Sequence, residues 1–269
     1  MIYANPVPAE YASGEYYDQV AAEYYLSPAK LESDYADVRF ERELRLFRTY
    51  CQQGTVLDVG CSSGAFLFQL GRRFPETYQV LGTDVSGPPL TYAKSRGIPI
   101  ARGSFLRMMP QERKFDAITF WAVLEHVSEP RAFLEKAASL LNPEGFCFIL
   151  VPNMKSLATR VLGARYRYIY PQHLNYFTAS TLRKFVENEF VVTELRTMHF
   201  NPMVIWQDWR QRGAPVSNEQ RGELLKRTTA YKQNPLLRPV KIVYQMVESM
   251  LRAVGLADNL AIVLRKKGS

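Results

Sequence analysis

The stretch Thr55-Val56-Leu57-Asp58-Val59-Gly60-Cys61-Ser62-Ser63-Gly64, followed by Ala65-Phe66-Leu67-Phe68-Gln69-Leu70, decides the fold. An apolar run that stops at Gly60 reads as a buried strand. Apolar residues restarting at helical spacing over 65–74 read as a helix, so the segment predicts strand, tight turn, helix. Such a turn brings main-chain N–H groups and a helix N-terminus close to a ligand, an approach that side chains would block. Alone, a Gly-x-x-x-Gly turn is weak evidence, because glycine punctuates turns everywhere. Its context adds weight. A second apolar run, 78–83, ends at Asp84, twenty residues after Gly64, where a carboxylate can accept both hydroxyls of a ribose.

Downstream the same rhythm repeats. A helix is expected over 90–96, a short third strand over 99–101, a fourth over 115–120 and a helix over 130–141. Asn142-Pro143-Glu144-Gly145 reads as a turn feeding a fifth strand, 146–151, which Pro152 ends. Strands alternating with helices imply an α/β fold: a parallel sheet with right-handed crossovers and helices on both faces. Short helices over 156–162 and 178–187 and a sixth strand over 191–197 follow. Residues 200–255, with Trp206, Trp209, several prolines and an amphipathic run over 240–254, interrupt the pattern before a last strand at 259–264. Upstream, Tyr11, Tyr16, Tyr17, Tyr24, Tyr25 and Tyr35 precede a helical pattern over 35–50. The expected organisation is an N-terminal helical segment (1–50), a core (51–199), a helical insert (200–256), and a last core strand with a basic tail (257–269).

Composition narrows the class. With 47% apolar residues in 269, the chain can bury a large core in one α/β domain plus an appendage. The Tyr-rich, acidic N-terminus lacks the basic start and apolar middle of a secretory signal. The longest apolar run, Cys147 to Val151, falls far short of the roughly 18 to 20 residues that a spanning helix needs. Cys51, Cys61 and Cys147 show neither pairing nor metal-ligand spacing, which points to a reducing cytoplasm. Of the formal charge of +8, a net +5 falls between Trp206 and Arg252. A mild basic excess usually means a solvated surface, so nucleic acid is not the expected partner.

At this point the sequence resembles class I S-adenosylmethionine (SAM) methyltransferases, in particular the bacterial group similar to ubiquinone-biosynthesis O-methyltransferases. Residues 56–64 resemble the first motif of that family, and Leu81-Gly82-Thr83-Asp84-Val85-Ser86 the second. Phe115-Asp116-Ala117-Ile118 with Leu124-Glu125-His126-Val127 resembles the fourth strand and its turn, and Leu140-Leu141-Asn142-Pro143-Glu144-Gly145 the approach to the fifth. A dinucleotide-dependent oxidoreductase shares the turn and the ribose carboxylate, but its fingerprint asks for glycine where Ser62 stands and has no place for Leu-Glu-His-Val. The resemblance implies a Rossmann-like, mostly parallel sheet of seven strands in the order 3-2-1-4-5-7-6, strand 7 antiparallel, with an N-terminal helical lid and an insert before the last strand.

The resemblance also implies site residues. Gly60, Cys61 and Ser62 would meet the methionine part of the cofactor through main-chain groups, Asp58 would orient its amino group, Gly64 would complete the turn, and Asp84 with Val85 would take the ribose. Ser104 and Phe105 occupy the place of an acidic residue that usually meets the adenine amino group, so adenine would be held more by the Phe105 backbone and apolar packing. Apart from the resemblance, Trp121 reads as a wall of the donor pocket or equally as core. The aromatic cluster from Tyr16 to Tyr35, with Arg39, reads either as a lid whose arginine meets the methionine carboxylate or as packing on the sheet edge. Ser62 replaces the middle glycine of the motif, a change expected to require a negative φ. S-adenosylhomocysteine would be the product.

Methyl transfer from an activated sulfonium needs alignment and exclusion of water, and a hydroxyl acceptor also needs a base. His173, in Tyr170-Pro171-Gln172-His173-Leu174-Asn175-Tyr176-Phe177, is the first candidate; its alternative is to cap the helix at Thr178. His126 is the second, its alternative being a bond that holds the Glu125 turn. His199 reads as structural. Metal-dependent relatives resemble a Glu-x-x-Glu-His pattern in this turn, but Ala122 stands at the first position. One carboxylate is a weak oxygen cage, so no metal is expected. A small-molecule, sugar or lipid-linked hydroxyl is the expected acceptor. An RNA methyltransferase and a non-catalytic SAM-binding module are the alternatives. The apolar stripe at 240–254 reads as core contact or a homodimer face, ahead of a peripheral membrane contact.

Overall fold

The computed structural model describes residues 2–3, 16–108, 112–211 and 216–267. Seven strands form the main sheet: β1 (Gly54–Val59), β2 (Tyr78–Asp84), β3 (Ile100–Arg102), β4 (Phe115–Trp121), β5 (Leu141–Pro152), β6 (Phe190–Met198) and β7 (Asn259–Lys266). Their order is β3-β2-β1-β4-β5-β7-β6. β1 runs parallel to β2 and β4, and β7 lies antiparallel between β5 and β6. This is the Rossmann-like arrangement that the sequence predicts.

The helices used below are α1 (Pro28–Asp34), α2 (Glu41–Tyr50), α3 (Ala65–Arg73), α4 (Gly87–Ser95), α5 (Pro130–Leu140), α6 (Leu157–Leu162), α7 (Ala179–Val186), α8 (Pro202–Gln211), α9 (Asn218–Gln233) and α10 (Arg238–Ala253). Side chains alternate across a strand, so adjacent residues of β1 serve opposite faces. Val56 joins Phe47 of α2, Phe66 and Leu70 of α3, and Phe148. Leu57 joins Phe120, Ile149, Leu134 of α5 and Leu182 of α7. With both faces covered, central strands read as unbroken apolar runs.

Four expectations are corrected. The helical pattern over 35–50 is split, because Phe40 adopts φ 59° and α2 starts only at Glu41. The expected turn at 142–145 lies inside β5. Leu141 pairs with Phe115 and Phe146 with Ala117, so the residues between bulge out, and Asn142 Nδ2 donates to Asp116 Oδ1 at 2.7 Å. The 240–254 stripe is not core: in α10 Val240, Val243, Val247 and Met250 are 41–70% exposed, and it is Glu248 that is buried. Burial follows the ion pair of Glu248 with Arg42 and the Tyr244 hydroxyl donating to the Phe200 carbonyl, which turn the apolar side outward. The fourth correction, at Ser62, belongs to the site. No described helix is long and apolar enough to cross a membrane.

Candidate active site

The turn after β1 folds against the end of β2. The N–H groups of Gly60 and Cys61 donate to the Thr83 carbonyl at 2.7 and 3.1 Å. The Ser62 N–H donates to Asp84 Oδ2 at 2.9 Å, and that of Ser86 to Oδ1 at 3.0 Å. These amides are therefore committed within the protein, which leaves main-chain carbonyls to receive an ammonium group. Gly60 (φ 70°) and Gly64 (φ 76°) occupy the left-handed region, and a Cβ on Gly60 would stand 2.6 Å from Val123 Cγ2. Ser62 also has positive φ, 49°, against expectation. The bond from its N–H to Asp84 fixes the conformation there, at a strain of about 1 kcal/mol.

Two carboxylates define the cleft. Asp58 is buried, accepts the Thr119 hydroxyl at 2.6 Å, and is pushed up to about 7 by burial and the nearby charge of Asp84. Burial likewise raises Asp84, against the bonds from Ser86, Ser62 and Val85. A buried carboxylate with spare acceptor capacity is what a ribose diol would satisfy. The main-chain carbonyls of the tight turn and this pair of acids fit a nucleoside carrying an ammonium group.

The remaining predicted cofactor residues are placed differently from one another. Gly103 N–H donates to the Asp84 carbonyl at 2.9 Å, keeping Ser104 near the cleft. The Phe105 ring turns into the core against Phe120 and Phe133, so only its backbone can serve adenine. Trp121 packs on Phe66 with ring centroids 5.2 Å apart and acts as a wall of the core. Arg39 is bound to Asp34 at 3.3 Å.

Over the cleft lies the N-terminal segment, where a π-helical turn, Tyr17–Ala21, runs into Ala22–Tyr25. Asp18 clamps it: Oδ1 accepts the first amide of α4, from Gly87, at 2.6 Å, and Oδ2 meets Arg102 at 2.7 Å. The Tyr17 carbonyl accepts the Ser86 hydroxyl at 3.0 Å. Burial, with the nearby charges of Asp84 and Glu125 behind it, raises the Tyr17 hydroxyl well above its ordinary range. The tyrosines hinted at a lid, but nothing in the sequence marked Asp18 as its latch.

On the acceptor side, the turn after β4 and the 170–177 segment are stitched together. The Glu125 carbonyl accepts the N–H groups of Leu174 and Asn175 at 2.7 and 3.0 Å. Asn175 Nδ2 donates to the carbonyls of Leu124 and Val127 at 3.0 and 2.7 Å. Asn175, whose role the sequence reading missed, thereby sets His126 beside His173. The His126 Nδ1–H donates to the Gln172 carbonyl at 3.0 Å and that of His173 to the Tyr168 carbonyl at 2.8 Å. Both rings are then neutral tautomers with Nε2 as a lone-pair site. Burial lowers His126 to about 4 and holds His173 well below its ordinary range. The helix at Thr178 is capped by the Thr178 hydroxyl, accepting from Thr181 N–H at 3.2 Å, so His173 is not its cap. His199 pairs with the buried Glu43 at 2.8 Å, as a structural residue would.

Glu125, His126 and His173 offer ligand atoms all within 4.8 Å of one another. Glu125 is buried with Oε2 unpartnered, and burial raises its carboxyl to about 8, so it is mostly uncharged at neutral pH. One carboxyl and two imidazoles are not the oxygen cage that Mg²⁺ prefers, and no step below passes through a metal.

A family profile described as methyltransferase domain matches residues 34–190. The ubiquinone biosynthesis O-methyltransferase of Bradyrhizobium diazoefficiens is 30% identical over 211 residues, 71% of this chain and 81% of that protein. Its namesake in Rhodopseudomonas palustris strain TIE-1 is 29% identical over 221 residues, 73% and 85% of the two chains. Among solved structures, a SAM-dependent methyltransferase of Thermotoga maritima, described as a possible histamine N-methyltransferase, superposes with a TM-score of 0.59 at 15% identity, over 93% of this chain and 98% of its own. The N-methyltransferase NodS of Bradyrhizobium japonicum, solved with S-adenosylhomocysteine, gives 0.52 at 15% identity, over 97% and 100%. Such distant likeness shows the shared fold, while the profile and the relatives show the family. The chain belongs to the methyltransferase-domain family of class I SAM-dependent enzymes.

Proposed function

We propose that the enzyme methylates a hydroxyl of a small-molecule, sugar or lipid-linked acceptor, with the His126–His173 pair as general base. The observation that carries this reading is the convergence of a half-buried and a buried imidazole, each with Nδ1 satisfied by a main-chain carbonyl and Nε2 left to accept a proton. When bound, the sulfonium of SAM supplies an activated methyl group. Asp58, Asp84 and the carbonyls of the Gly60–Gly64 turn hold the donor, and Tyr17 with its Asp18 latch keeps water out. The acceptor oxygen gains the C–O bond as the S–CH3 bond breaks, its proton passes to a histidine Nε2, and S-adenosylhomocysteine leaves.

The names of the relatives support oxygen as the acceptor atom. The test is methyl transfer from labelled SAM to a panel of phenols, sugars and lipid-linked alcohols, with matched amines beside them. Labelled ethers support the reading. Methylation of amines alone, or of RNA, would overturn it.

A further inference from the structure

Arg221 sits in the first turn of α9, within the insert between β6 and β7. Its guanidinium lies over the rings of Tyr24, at 4.8 Å, and Tyr170, at 5.7 Å. Next to it Gly222 packs against α1 and the residue before it: a Cβ there would touch Ser27 Oγ at 3.4 Å and Ala29 Cβ at 3.5 Å. The helix is therefore seated close, and Arg221 is held over Tyr24 and Tyr170.

The cations around it already have carboxylate partners. Arg167 forks onto Asp208, with Nε and Nη2 at 2.8 and 2.5 Å from Oδ1, and takes its second oxygen through its own main-chain N–H at 2.9 Å. Arg39 and Lys30 share Asp34. Among the described residues, no carboxylate lies within 4.0 Å of Arg221. The Tyr170 hydroxyl hydrogen-bonds with the guanidinium, but neither it nor Tyr24 supplies a counter-charge, because burial keeps both hydroxyls protonated. A half-buried guanidinium with aromatic faces and no anion costs solvation that an incoming anion would restore.

Its position relates it to the chemistry. The Tyr170 ring that Arg221 overlies is 4.4 Å from the His173 ring, and His173 is 4.6 Å from His126. Separations of 5.7 and 4.4 Å leave the guanidinium no more than about 10 Å from the His173 ring. A group bound at Arg221 and a hydroxyl at the histidines would thus belong to one small molecule.

We propose that Arg221, steadied by Tyr24 and Tyr170, binds an anionic group of the methyl acceptor, a carboxylate or a phosphate, while the His126–His173 pair receives its hydroxyl. This rests on the methyl-transfer reading above and narrows it to hydroxy acids or phosphorylated alcohols in which about one ring separates the two groups.

Calorimetry on the full chain saturated with S-adenosylhomocysteine tests the idea. The titrants are 3-hydroxybenzoate and glucose 6-phosphate, each against its uncharged counterpart, methyl 3-hydroxybenzoate and glucose. Wild type should prefer at least one anion by about 10-fold or more, Arg221→Lys should keep part of that preference, and Arg221→Gln should lose it. Preference for the benzoate assigns a carboxylate, and for the sugar phosphate a phosphate. No preference for either anion, or a preference that survives in Arg221→Gln, overturns the proposal. Should Arg221→Gln fail to fold, Arg221→Lys decides: an anion preference equal to wild type with 3-hydroxybenzoate, whose planar carboxylate matches the lost fork, counts against it. S-adenosylhomocysteine affinity, measured alongside, separates the two readings. If it is intact without anion preference, Arg221 alone is misassigned, whereas its absence defeats the methyl-transfer reading.

Discussion

The His126 ring meets the His173 ring edge-on, with centroids 4.6 Å apart and planes at 80°. Neither belongs to a regular element, and Asn175 joins the two turns that carry them. His173→Ala should slow turnover about 10²- to 10⁴-fold while leaving donor affinity alone. His126→Ala run in parallel apportions the proton between the two, and wild-type rates in both variants would remove the base from this pocket.

Because burial holds His126 at about 4 and His173 well below its ordinary range, both are already unprotonated at neutral pH. Measured with donor saturating, to keep the Asp58 titration near 7 out of the profile, the rate should show no histidine inflection between pH 8 and 5.5, and the histidine limb should appear only as pH approaches about 4. A kcat/KM profile with a limb near 6.5 would mean that the base is more solvated than this.

Chelation separates a base from a ligand. If the imidazoles act as bases, overnight EDTA treatment should leave turnover unchanged, even though Glu125, His126 and His173 offer ligand atoms within 4.8 Å of one another. Loss of activity restored by Zn²⁺ would make the imidazoles metal ligands.

Asp84→Asn should weaken S-adenosylhomocysteine binding by about 1 to 3 kcal/mol, because it removes a charge-assisted acceptor for the ribose and also for the Ser62 or Ser86 amide. Titration calorimetry checks it; equal affinity would displace Asp84 from the ribose.

Ser62 occupies φ 49° with a buried hydroxyl that has no partner. Ser62→Gly should relieve both and stabilise the protein by up to about 1 kcal/mol, after the extra unfolded-state entropy of glycine is subtracted. A fall in Tm would show that the hydroxyl has a partner in solution.

Burial alone would raise Glu43, but the charge and hydrogen bond of His199, with Arg39, hold it down to about 2. A depressed carboxylate stabilises above its unfolded value of 4.5, and the contribution, about 3 kcal/mol, is lost as pH falls from 4.5 toward 2. Urea unfolding at stepped pH should show this loss in wild type and a shallower one in His199→Ala. Identical slopes would place the acid sensitivity elsewhere.

The sheet was legible because its strands are apolar runs ended by glycine, aspartate or proline, a signal that tertiary context seldom overrides. The donor site was legible for a related reason: Gly60, Gly64 and Asp84 obey backbone constraints that show in the residue types. The conformation of Ser62 was not, since it depends on a carboxylate 22 positions away. Arg221 left no trace either, for one arginine on a polar helix looks like any solvated residue until its partners are known. The stripe of α10 misled for the converse reason, because periodicity reports that a helix has two sides but not which one meets the protein.

The Asp18 latch sets a sequence of events. With its carboxylate on the Gly87 amide and on Arg102, and with the Tyr17 carbonyl on the Ser86 hydroxyl, a nucleoside held by Asp84 would lie beside a latch that must unhook before it leaves.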